Sequence, residues 1–203
     1  MPGRLFLTRD VAGLADGLGV EQPDPEPPRL NIQPGQDLLT LTTEGFGRMR
    51  WGMIPTGRKN ARGRPVMETL VNARSETVFD KSAFNNMRRA VVPADGWYEW
   101  TGERRRKTAW AISSKDASVL WFAAIYDVWA GPGGVSVPQV ATLTCPPNGD
   151  VRDIHDRMGV LVSKDEIELW LTGDESAARA LFRPWPDGRL VVTETKDVDW
   201  TKP

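Results

Sequence analysis

Ala90–Trp100 reads AVVPADGWYEW, and this stretch decides the fold. β-Branched and aromatic residues dominate it, which favours an extended chain. A polar, basic run follows at Thr101–Lys107 (TGERRRK), and then a second strand-like segment at Thr108–Ser113 (TAWAIS). Strand, charged turn and strand make a hairpin. Side chains alternate along a strand, so Trp97 and Glu99 face one side and Tyr98 and Trp100 the other. A carboxylate beside Trp97 on an apolar face has a raised pKa and can shuttle protons near neutral pH. An edge-strand glutamate in water is the plainer reading of the same pattern.

Outward from this hairpin the chain stays rich in strands. Leu120–Val128 and Gln139–Thr144 read as buried strands, with a glycine-rich loop (GPGG) between them. Lys164–Leu171 and Glu175–Phe182 read as helices, with Ser163 as N-cap and Glu166 three residues on. Leu190–Thr193 is a last short strand. On the N-terminal side, Asp37–Thr42 and Arg48–Trp51 read as strands joined by a turn at Glu44–Gly47. Ser75–Met87 carries Val78, Phe79, Ala83, Phe84 and Met87 at helical spacing. Val11–Val20 reads as a short helix capped by Thr8 or Asp10. Glu21–Pro28 holds four prolines in eight residues and is an extended loop. There is no internal repeat. The expectation is an α+β fold: one domain over residues 1–203, with a mostly antiparallel, barrel-like sheet and a few peripheral helices.

Composition narrows the function. The 203 residues include 26 Lys+Arg, 27 Asp+Glu, one His and one Cys. A chain of this length buries roughly 70% of the surface it exposes when unfolded, so no staple is required. One Cys excludes an intramolecular disulfide framework and a cysteine-based zinc site. One His excludes a multi-histidine metal centre and leaves at most one imidazole for acid/base work. No metal or cofactor is expected. No segment approaches 18 apolar residues, and the N-terminus lacks a secretory pattern, so a cytoplasmic protein is expected. The formal charge of −1 argues against a generally basic nucleic-acid binder. Its distribution does not: Arg48–Lys107 holds 14 Lys+Arg against 6 Asp+Glu, a net of +8, and the remainder carries −9. A basic middle, including the loop Thr56–Pro65, suits an anionic partner, although solvated loops would carry the same charges.

Two further segments bear chemistry. His155 lies in Asp153–Met158 (DIHDRM), a polar stretch where neighbouring acids and Arg157 can tune an imidazole for proton transfer. A structural role is the usual one for a lone histidine. Val71–Thr77 (VNARSET) offers an amide, a guanidinium suited to phosphate and a helix start, or else a simple cap. Cys145 ends a strand-like TLTC run and reads as core.

In order along the chain, MxGR, RLNIQPG, WGMIP, VNARSET, VPADGWYEW and IHDRM closely resemble the SRAP family, the SOS-response-associated peptidase-like proteins. The resemblance spans roughly Pro2 to Leu171. It implies a compact, mostly β fold with a positively charged groove for single-stranded DNA containing abasic sites. It also implies a monomer, associated with the nucleoid when on DNA. In the family an N-terminal Cys, exposed by loss of the initiator Met, attacks the abasic-site aldehyde. The amine forms a Schiff base and the thiol closes a thiazolidine. The family's asparagine falls on Asn72, its arginine on Arg74, its glutamate on Glu99 and its histidine on His155. Arg4, Trp51 and Thr144 match positions near the DNA.

Position 2 departs from the pattern: the chain reads Met1–Pro2–Gly3–Arg4 where the family has Met-Cys-Gly-Arg. Without a thiol at residue 2 the thiazolidine cannot form there. One reading keeps chemistry: loss of Met1 exposes the secondary amine of Pro2, which still condenses with an aldehyde and favours β-elimination, as an abasic-site lyase. A second is a non-covalent binder of damaged single strands. A proline introduced at this position is a third. A cysteine peptidase is implausible without the Cys. A self-processing peptidase that removes Met1, and a pure interaction module, stay open.

Overall fold

The structure is a computed structural model and describes residues 2–54, 61–63, 68–81, 84, 87–103, 106–196 and 198–202. Among these, thirteen strands, β1–β13, and two short helices make an α+β fold. The opening stretch is not one strand. It splits at Asp95 into β6 (Arg88–Ala94) and β7 (Gly96–Thr101), which belong to different sheets. Asp95 makes the corner by accepting the backbone N–H groups of Thr8 and Arg9 at 2.6 and 3.0 Å and by pairing with the Arg9 guanidinium. A carboxylate with that many donors stays ionised, and its pKa lies below the ordinary value although burial opposes this.

The first sheet runs β13 (Leu190–Thr195), β8 (Thr108–Ser114), β7, β1 (Leu5–Leu7), β2 (Arg29–Ile32). The expected hairpin is β7–β8, with Trp97 opposite Ile112 and Glu99 opposite Trp110. In the second sheet, β6 pairs with β3 (Asp37–Thr42) and with β9 (Leu120–Ala130). β3 pairs with β4 (Gly45–Trp51), β4 with β10 (Ser136–Cys145), and β10 with β9. The pairings therefore return on themselves, with a single registered pair, Leu41 opposite Val91, between β3 and β6. β11 (Met158–Gly159) and β12 (Leu161–Val162) extend the edges. The sheet is not wholly antiparallel. β10 runs parallel to β4 and to β5 (Asn72–Arg74).

The core lies between the sheets. Trp97 and Phe122 meet edge to face with centroids 5.7 Å apart, and Trp51, Trp170 and Leu5 are fully buried beside them. A truncation such as Trp97→Ala would cost about 3–5 kcal/mol.

Two helices expected from apolar spacing are not found among the described residues. Val11–Val20 forms successive turns, because Gly13, Gly17 and Gly19 take φ of 85°, 71° and 69°. Val11 and Leu14 still point into the core, so the spacing reports burial without a helix. Of Ser75–Met87, Ser75–Thr77 forms a 3-10 turn and Phe84 is again in 3-10 conformation, while residues 82, 83, 85 and 86 lie outside the described set. The Ser163 capping box is present, with the Ser163 N–H donating to Glu166 at 2.9 Å. It starts a 3-10 turn that leads into α1 (Ile167–Thr172); α2 (Glu175–Ala180) is capped by Asp174. Most of the Thr56–Pro65 loop lies outside the described residues.

Candidate active site at the start of the chain

Four of the sequence-selected residues fall in two adjoining pairs. The first is Asn72 with Pro2. β5 lies parallel to β10 with Asn72 opposite Thr142. The Asn72 Nδ2 donates to the Pro2 carbonyl at 2.8 Å, and its Oδ1 accepts from the Thr142 hydroxyl at 2.5 Å. Pro2 is buried. Ahead of β1 the chain already runs beside β7, since the Tyr98 N–H donates to the Arg4 carbonyl at 3.0 Å. The start of the chain thus runs along the strand that carries Glu99.

The second pair is Glu99 with His155. Glu99 is 4% exposed, on the same face as Trp97, as alternation predicts. Burial pushes its carboxyl up from the ordinary value of 4.5, while the positive charge of His155 and the Trp97 indole pull it down. His155 Nε2 lies 4.0 Å from Glu99 Oε2. That is too long for a direct hydrogen bond and leaves space for a shared atom. The other ring nitrogen, Nδ1, accepts the Arg157 N–H at 3.0 Å and also lies 2.8 Å from Asp156 Oδ1. Both contacts cannot be made at once. The neutral ring accepts from Arg157 and carries its proton on Nε2, toward Glu99; the protonated ring donates to Asp156.

His155 is held by its own loop. Asn148 Oδ1 accepts the Val151 N–H at 3.2 Å, and the His155 N–H bonds the Val151 carbonyl at 3.0 Å. Arg157 then ties the loop to the rest of the site. It pairs with Glu76 through both terminal guanidinium nitrogens and donates to the carbonyl and hydroxyl of Thr144 at 2.5 and 3.1 Å. The bond from Arg157 brings the Glu76 carboxyl down to about 2.

The remaining sequence-selected residues stand elsewhere. Arg74 is exposed and has no hydrogen-bond or ion-pair partner among the described residues. Arg4 donates to Asn31 at 2.6 Å, on the face where Phe6 packs on Tyr98, away from Glu99. Trp51, expected near DNA, has no face open to a base: it is 0% exposed and its indole N–H holds the Val71 carbonyl at 3.1 Å. Thr144 is likewise 0% exposed and bonds the Ala73 carbonyl and Arg157. Cys145 is buried core, with its thiol pushed up to about 12 by desolvation. Thr142 and the Arg157–Glu76 tie escaped the sequence reading. Thr142 was within reach, because it shares a strand face with Thr144. The Glu76 partner lies 81 residues from Arg157, and nothing local signals it. Among the described residues no group of three or more His, Cys, Asp and Glu could hold a metal ion.

The α+β fold thus holds the start of its chain through Asn72 and sets the buried carboxyl of Glu99 near the partly exposed imidazole of His155. The chain belongs to the SOS response associated peptidase (SRAP) family, whose model matches residues 1–198. It is 30% identical over 199 residues to a Bacillus subtilis protein named abasic site processing protein YoqW, covering 91% of this chain and 88% of that one. It is 28% identical over 166 residues to abasic site processing protein HMCES of Mus musculus, covering 66% of this chain and 47% of that one. A solved structure from Bacteroides thetaiotaomicron has the same fold, with a TM-score of 0.81 at 20% identity over 96% of this chain and 92% of that one. A second, from Bordetella bronchiseptica, gives 0.79 at 24% identity over 96% and 99%.

Proposed function

We propose that this protein processes abasic sites in single-stranded DNA through the amine of residue 2. The observation that carries the reading is the 2.8 Å hydrogen bond from Asn72 to the Pro2 carbonyl. It supports the reading because it ties residue 2 to Asn72 of β5. The names of the relatives support the substrate.

Removal of Met1 exposes a secondary amine. Its lone pair adds to the aldehyde carbon of the ring-opened sugar and gives a carbinolamine. Loss of hydroxide, protonated by Glu99 or His155 to leave as water, gives an iminium ion. With no thiol at residue 2, no thiazolidine closes. The iminium withdraws electrons from the adjacent carbon and acidifies its C–H bond. A base, the ionised Glu99 or neutral His155, takes that proton, and the electron pair expels the 3′ phosphate. Hydrolysis of the iminium then frees the protein.

The test is borohydride trapping on an abasic single-stranded oligonucleotide, with intact mass showing that Met1 is gone. A protein–DNA adduct resistant to heat is expected, and Glu99→Gln or His155→Ala should slow strand cleavage about 100-fold. Met-free protein that binds the oligonucleotide but yields neither adduct nor cleavage would make it a non-covalent binder instead.

A further inference from the structure

We propose that Thr142 is a positioning residue for the proposed reaction: its hydroxyl anchors the Asn72 amide that holds residue 2. The inference rests on the function proposed above and adds to it a residue outside every motif of the sequence. A carbonyl oxygen has no hydrogen, so the group facing the Pro2 carbonyl at 2.8 Å must be the Asn72 NH2. The opposite end of the amide is then its oxygen, which only accepts. The group 2.5 Å from it is the Thr142 hydroxyl, which must donate. A terminal amide has a broad, roughly two-fold torsion and is nearly symmetric in shape, so packing alone does not choose its direction. The hydroxyl does.

Two features make Thr142 suited to this. It is 0% exposed, so water does not compete for its proton. Its backbone is fixed between β9, where it pairs with Ala124, and β5, where it pairs with Asn72. A β-branched side chain on that rigid strand has little rotamer freedom. Without that anchor the amide is free to turn, and its NH2 no longer holds the Pro2 carbonyl.

The experiment compares the full chain with Thr142→Val and Thr142→Ser. Valine keeps the shape and removes the proton; serine keeps the proton. The rate of borohydride-trapped adduct on abasic single-stranded DNA should fall about tenfold in Thr142→Val and return to within about twofold in Thr142→Ser. Anisotropy with an undamaged oligonucleotide should show equal affinity for all three. In parallel, hydrogen exchange of the Asn72 side-chain NH2, followed by NMR, should be slow in the parent and in Thr142→Ser and fast in Thr142→Val. Parental trapping in Thr142→Val, or a Thr142→Ser as slow as it, overturns the proposal. If the parent itself is never trapped, the proposed chemistry fails. The exchange measurement still decides: unchanged Asn72 exchange in Thr142→Val would show that the hydroxyl does not hold the amide.

Discussion

Glu99 occupies an uncomfortable position for an acid. Its side chain lies on the apolar face it shares with Trp97, and burial holds its carboxyl above the ordinary 4.5. Such a group keeps its proton longer in the folded state than in the unfolded chain. Between the ordinary value and the raised one, the native protein therefore binds more protons. Stability is greatest below that window, falls as pH rises through it and stays lower above it. Glu99→Gln removes the ionisation and keeps the shape. The variant should melt at a higher temperature than the parent at about pH 7, and the two should melt together at about pH 4. Thermal melts across this range check it, and parallel curves would show that Glu99 ionises as easily folded as unfolded. A gain in stability with a loss of strand cleavage would mark the carboxyl as kept for chemistry at a cost to the fold.

At the scale of elements, the sequence carried the strands better than the connections. The β7–β8 hairpin, the 163–166 cap and the burial of Trp97 with Glu99 follow from period-two alternation and local hydrogen bonding, both short-range. The corner at Asp95 does not, because its donors come from Thr8 and Arg9, 87 and 86 residues away. Nor does the parallel pairing of β5 with β10, which alone brings Asn72 to Thr142. The motifs thus marked the site residues one by one, and the long-range pairings bring them together. Arg157 illustrates the point, since its motif placed it beside His155 and only the fold gives it Glu76. The Glu76 side chain is 44% exposed, so solvent screens the pair, and Glu76→Gln should cost about 1 kcal/mol or less in global stability. Its stabilisation is present above the ordinary carboxylate value and is lost as pH falls toward about 2. The local effect should be larger. Hydrogen exchange at Ile154–Arg157 should quicken about tenfold in Glu76→Gln while β9 and β10 stay protected. Uniform exchange in both proteins would mean that the loop holds itself.

For the whole molecule the question is how a chain of charge −1 would hold a polyanion. The excess of positive charge between Arg48 and Lys107 overstates what is available. Arg48 pairs with Glu26 and Arg88 with Glu44, while Arg50 and Arg89 donate to the carbonyls of Gly52 and Gly173. Arg74 differs, being exposed at the end of β5, two residues from Asn72, with no partner of this kind. In the proposed reaction it would meet a phosphate next to the sugar that residue 2 engages. Trp51, by contrast, supports that strand from within through Val71. The two residues should therefore separate cleanly on single-stranded DNA. Each phosphate contact on a single strand contributes about 0.7 to the slope of log K against log salt. Arg74→Ala should weaken binding and reduce that slope by about 0.7, with the melting temperature unchanged. Trp51→Phe should lower the melting temperature and leave the slope alone. Anisotropy titrations at several salt concentrations give both numbers. An unchanged slope in Arg74→Ala would move the phosphate contact to another cation and leave Arg74 an ordinary solvated side chain.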